Sequence, residues 1–109
     1  MTNITIRKNS DGDYVGLELN GHVGSGDYGK DIVCASISVL GINIVNSLEE
    51  FTSDEVECIA DPKEGIIKLT FKEQISKEAD LLMKSFELGI TSIYKQYGND
   101  YLNIKFEEV

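Results

Sequence analysis

Apolar and polar residues alternate over Ile4 and Ile6, break at Asn9-Ser10-Asp11-Gly12-Asp13, and alternate again over Val15, Leu17 and Leu19. Period-two alternation on both sides of turn-forming residues predicts a β-hairpin with one buried face. The second strand ends near Asn20, which leaves His22 at the mouth of the segment that follows. Gly21, Gly24, Gly26 and Gly29 break up residues 21–30, and a mobile loop with little apolar anchoring is expected there. From about Asp31 to Glu50 the period lengthens, and Val33, Ile37, Leu40, Ile44 and Leu48 make one helical stripe suited to packing on a sheet. Ile32, Ala35, Val39 and Ile42 add a second apolar strip, more than a helix buried on one side needs, and a subunit contact would cover it.

Glu55 to Ala60 and Ile66 to Lys72 read as strands around Asp61-Pro62-Lys63-Glu64-Gly65, whose proline and glycine suit a hairpin loop. Cys58 is in phase with Val56 and Ala60 and is expected to be buried. Ser76 is placed to cap a second helix with Ala79, Leu82, Met83, Phe86, Ile90, Ile93 and Tyr97 on its apolar face, and Gly98 to stop it. Leu102, Ile104 and Phe106 alternate in a last strand from Tyr101 to Glu107. The order ββαββαβ predicts an α+β fold, a two-layer sandwich of two helices on a mostly antiparallel five-stranded sheet.

A chain of 109 residues is most simply one domain, 1–109, and 41% hydrophobic with 27% charged residues is the composition of a globular protein. The start, MTNITIRKNS, lacks the apolar core of a secretory signal, and no run approaches the ~20 apolar residues of a membrane span, so a cytoplasmic protein without membrane partners is expected. Two cysteines without a CxxC pair form neither a disulfide framework nor a zinc box; reduced thiols, no metal and no cofactor are expected. A net charge of −9 argues against direct nucleic-acid binding, which needs clustered Lys and Arg. It suits a basic partner, and equally it keeps an acidic protein soluble.

The stretch from Gly21 to Leu40, GHVGSGDYGKDIVCASISVL, holds the only histidine and one of the two cysteines. At ~100° per residue, Asp31, Cys34 and Ser38 fall within an arc of ~60° beside the buried stripe. With the helix starting near Asp31, Cys34 lies in its first turn, where the thiolate is favoured. The helix dipole supplies only ~0.3–1 kcal/mol against ~1.36 per pKa unit, so a second contributor is required. His22 is the imidazole available to hold the proton and deliver it to a leaving amine. Asp31 suits capping or orientation of the site, and Ser38 a bond to the sulfur, to substrate or to a helix carbonyl. Backbone N–H groups at the helix start are candidates to hold an oxyanion. Residue types alone also fit a core cysteine and a surface histidine.

The same stretch resembles the signature of the ribosomal-processing cysteine protease family, Prp: Gly-His, a glycine-containing loop, Gly-x-Asp-Ile-Val-Cys, and a serine four positions after the cysteine. Here these are Gly21, His22, Gly29, Asp31, Ile32, Val33, Cys34 and Ser38. Val23 and Ser36 depart from residues common in the family, and neither removes a catalytic group. The resemblance implies a small cytoplasmic homodimeric endopeptidase with a dyad on His22 and Cys34. Its implied substrate is the N-terminal extension of large-subunit ribosomal protein twenty-seven. The alternatives are a non-catalytic ribosome-associated binding module whose acidic surface docks a basic partner, and a thiol redox sensor, which lacks a resolving cysteine nearby in sequence.

Overall fold

In a computed structural model that describes residues 2–21, 28–61 and 64–109, with the backbone alone for 28–31, β1 (Thr2–Lys8) and β2 (Tyr14–Asn20) form the expected hairpin. Its turn closes because Asn9 Oδ1 accepts from the backbone N–H groups of Asp11 and Asp13, each at 3.0 Å. One position departs from plain alternation. Arg7 pairs with Gly16 but Lys8 with Tyr14, so Val15 is the extra residue of a β-bulge. The bulge turns Tyr14 into the core and leaves Val15, expected there, only half-buried.

The chain continues through α1 (Tyr28–Phe51), β3 (Val56–Asp61), β4 (Ile66–Phe71), α2 (Lys77–Tyr97) and β5 (Leu102–Glu108). The strands form one sheet in the order β3-β4-β2-β1-β5, antiparallel throughout except where β1 and β5 run parallel. The expected α+β sandwich is therefore the one observed. Ile4, Ile6, Leu17 and Leu69 of the sheet meet Val33, Ile37, Ile44 and Leu48 of α1 and Met83, Phe86 and Ile90 of α2 in a single buried cluster. Leu40, read into the same stripe, is half-buried where the helices touch: a Cβ on Gly89 would lie 3.0 Å from its Cδ1.

Edge strands depart most from expectation. Cys58 is exposed, although it stands opposite the fully buried Leu69. Its face of β3 points the expected way, but β3 lies at the sheet margin, where the core cluster leaves it uncovered. At the other margin Phe106 of β5 is exposed for the same reason, while Leu102 is buried. One helical segment, Ile32–Phe51, is long and apolar enough by length and composition to cross a membrane, contrary to the expectation that no run qualifies. Ser36, Ser38, Asn43 and Asn46 interrupt the apolar pattern there without adding charge. Its stripe packs on the sheet, which makes it the core helix of the sandwich.

Ser76 caps α2 as expected: its Oγ accepts from Ala79 N–H at 3.1 Å, and Gly98 ends the helix at a φ of 79°. Asp54, just before β3, braces the cap by accepting from both the Ser76 N–H, at 2.9 Å, and the Ser76 hydroxyl. Ser76→Ala removes the cap and one Asp54 bond together. It is expected to lower the urea unfolding free energy by ~1–2 kcal/mol with an unchanged m-value, and Ser76→Thr to restore most of that.

Candidate active site

α1 can rest on the sheet in one rotation only, because Val33, Ile37, Ile44 and Leu48 all fall on one side of it. That rotation puts Cys34 and Ser38 on the flank, between the sheet-facing stripe and the exposed Val39 and Ile42. Gly41 sets how close the helix lies, since a Cβ there would overlap Leu19 Cδ1 and approach Ile67 Cδ1 to 3.3 Å. The flank and the sheet enclose a cavity of about 240 Å³. Leu19, Ile37, Ile66 and Ile67 give it aliphatic walls, and Cys34, Ser38 and Asp61 are among its polar lining.

The Cys34 side chain is 4% exposed, and its Sγ lies 3.1 Å from the hydroxyl of Thr2, itself 4% exposed. Thr2 was missed from the sequence, although it is in phase with Ile4 and Ile6 and so falls on the buried face of β1. Gly21 reaches the same cavity at the end of β2, where its N–H donates to the Gly65 carbonyl at 3.1 Å. Gly65 has a φ of 65°, and a Cβ on it would overlap the Gly21 carbonyl. The two backbones meet with no room for a side chain.

Of the expected site residues, then, the fold brings Gly21, Cys34 and Ser38 together. His22, Gly24 and Gly26 lie outside the described residues; Asp31 stands in α1, with its side chain outside them. Gly29, expected in the loop, is in the helix, because α1 begins at Tyr28 rather than near Asp31. That earlier start has a chemical consequence. Cys34 is three residues further in than expected, beyond the first turn, whose N–H groups are the ones that lack intrahelical partners. The dipole acts over the first turn, so neither it nor a free helix-start N–H serves Cys34 as expected. Cys58, although exposed, is partly desolvated by the surrounding protein, which raises its thiol above the ordinary value and so lowers its thiolate fraction at neutral pH. Among the described residues no three His, Cys, Asp or Glu side chains group as metal ligands do.

Residues 1–103 match the sequence family described as cysteine protease Prp. The chain belongs to the cysteine protease Prp family. It is accordingly a cysteine protease. The ribosomal processing cysteine protease Prp of Staphylococcus aureus is 28% identical over 106 residues, covering 96% of this chain and all of that protein. The crystal structure of the S. aureus protease Prp with a covalently linked product peptide superimposes with a TM-score of 0.87 at 25% identity, over 98% of this chain and 100% of that one. A Streptococcus mutans protein of known structure is 31% identical, with a TM-score of 0.86 over 100% of this chain and 99% of that one.

The Gly21–Gly65 contact yields a controlled comparison, because Gly12 also has a positive φ, 83°, yet a Cβ on it meets nothing within 4 Å. Gly12→Ala is expected to cost the ~1–2 kcal/mol of left-handed backbone strain alone. Gly65→Ala, which adds overlap with the Gly21 carbonyl, should cost at least ~1 kcal/mol more by urea unfolding and reduce peptidase activity; equal costs would show that the contact is not restrictive.

Proposed function

We propose that Cys34 is the nucleophile and His22 the general base of a cytoplasmic ribosomal-processing endopeptidase, whose substrate is the N-terminal extension of large-subunit ribosomal protein twenty-seven. One observation carries the reading: the Cys34 sulfur lies in a cavity with otherwise largely aliphatic walls, sized for one apolar side chain. A peptide seated by such a side chain brings a neighbouring carbonyl to the sulfur. Family membership, the spacing of His22 and Cys34 in the signature, and the product peptide covalently linked in the S. aureus structure all support it.

The chemistry follows from the two groups. Cys34 gives its proton to the imidazole, and the thiolate adds to the scissile carbonyl carbon. The C–N bond then breaks as the imidazolium protonates the departing amine, leaving a thioester. Water, deprotonated by the imidazole, hydrolyses that thioester and frees the thiol. Asp31, inside α1 rather than at its start, is too far along the helix to cap it and serves instead to orient the imidazole, and Ser38, half-buried on the cavity wall one turn beyond Cys34, to bond substrate. The −9 charge suits a basic ribosomal substrate. Val39 and Ile42, 66% and 55% exposed on α1, are the apolar strip that a homodimer contact would cover.

Incubation with a ribosomal protein that carries such an extension, read as new N-termini by mass spectrometry, tests this directly. The intact protein and Cys58→Ser should cut, while Cys34→Ser and His22→Ala should lose at least ~10³-fold in kcat/KM. Undiminished cutting by Cys34→Ser would end the proposal. Alkylation near neutral pH gives an independent check: Cys34 should react faster than Cys58 despite its burial, whereas exposure alone dictates the reverse order.

A further inference from the structure

The bond between Thr2 and Cys34 plays no part in the dyad described above, yet it joins two buried side chains from elements 32 positions apart in the chain. Thr2 is held firmly. Its backbone N–H donates to the Tyr101 carbonyl at 3.1 Å, and β1 is paired on both sides, with β2 and β5. Gly21 leaves room for its hydroxyl: a Cβ at that position would come within 2.7 Å of Thr2 Oγ1. The backbone that carries the hydroxyl is therefore held by its neighbours on both sides.

We infer that Thr2 is a positioning residue for the nucleophile, its hydroxyl donating to the Cys34 sulfur and favouring the thiolate. This rests on the reading of Cys34 as the nucleophile. While the sulfur carries its proton, either atom can donate, and the bond is one between neutral groups. Once the proton has left, only Thr2 can donate, and a bond to an ionised acceptor is roughly twice as strong as a neutral one. The difference accrues to the thiolate, in a site whose aliphatic walls exclude much of the water that would otherwise solvate it. Among the described residues lining the cavity, Asp61, from the end of β3, is the titratable side chain besides Cys34. The elements packed around the sulfur present Asn20, at the end of β2, as a further polar lining residue.

In a Cys58→Ser background, the ultraviolet absorbance of the Cys34 thiolate is titrated for Thr2, Thr2→Val and Thr2→Ser. Valine keeps the shape and deletes the donor; serine keeps the donor. The midpoint is expected to rise by about 0.5–1 pH unit with valine and to stay near that of threonine with serine. Peptide cleavage by Thr2→Val should fall about three- to tenfold in kcat/KM at neutral pH, recover at alkaline pH, and show an unchanged KM. Equal midpoints for threonine and valine overturn the inference, and so does an equal displacement by valine and serine, which is the signature of packing alone. Thr2→Ala carries the same comparison should the valine variant fail to fold. Cleavage that survives Cys34→Ser would remove the nucleophile reading instead; the titration uses no peptide and still decides whether Thr2 stabilises the thiolate.

Discussion

The site depends on the seating of α1. Four large aliphatic side chains, Val33, Ile37, Ile44 and Leu48, fall within an arc of ~60° and are buried together against the sheet. Exposing any one of them costs roughly 1.5–3 kcal/mol, so a helix rotated by a single residue, which would lift several out at once, is not competitive. With rotation fixed, Cys34 has one place to go. It stands ~100° from Val33, too far round to be a centre of the core and too near the sheet to be exposed. Gly41 removes the remaining freedom, the distance between helix and sheet, by letting α1 settle onto Leu19 and Ile67. The cavity beside the sulfur is what is left between a helix and a sheet end held apart by their own side chains.

Burial and reactivity pull in opposite directions in the two cysteines. Cys58 is open to solvent on a sheet margin and has its thiol pushed up, so exposure does not make it a nucleophile. Cys34 is covered and has a hydroxyl against its sulfur. A low-dielectric site penalises an isolated thiolate and strengthens every bond made to it, so the outcome turns on how many donors reach the sulfur. Thr2 is one such donor among the described residues. A largely aliphatic wall also favours a peptide that brings an apolar side chain, since burying that side chain beside Leu19, Ile66 and Ile67 removes apolar surface from water.

Much of this was legible in the sequence because it was written in periodicity. Ser76 and Gly98, bounding a 3.6-residue pattern, marked α2 at both ends, and the stripe of α1 named the residues that seat it. What escaped was decided by neighbours. Val15 lost its place in the core to Tyr14 through a bulge against β1, which no single strand announces. Cys58 has the right parity and the wrong position, since parity says which way a side chain points and nothing about whether anything lies above it. Thr2 was overlooked although parity put it inward, because a lone threonine ahead of Ile4 carries no apolar signal. Tyr28, Gly29 and Lys30 belong to α1. Their glycine reads as a breaker and their mixed polarity adds no period, so the helix seemed to begin at Asp31.

That last displacement alters the chemistry more than the fold. A cysteine in the first turn would owe part of its acidity to the helix it sits on, and the site would be nearly local: one loop, one helix start. From the second turn the helix contributes little, since its unpaired N–H groups are behind the sulfur and its dipole has faded. Stabilisation of the anion proposed at Cys34 then falls to other elements, of which the start of β1 supplies the Thr2 hydroxyl. The nucleophile proposed at Cys34 is then a property of the assembled sandwich, and loosening β1 from its neighbours β2 and β5 should destabilise the thiolate even with Cys34 and His22 both intact.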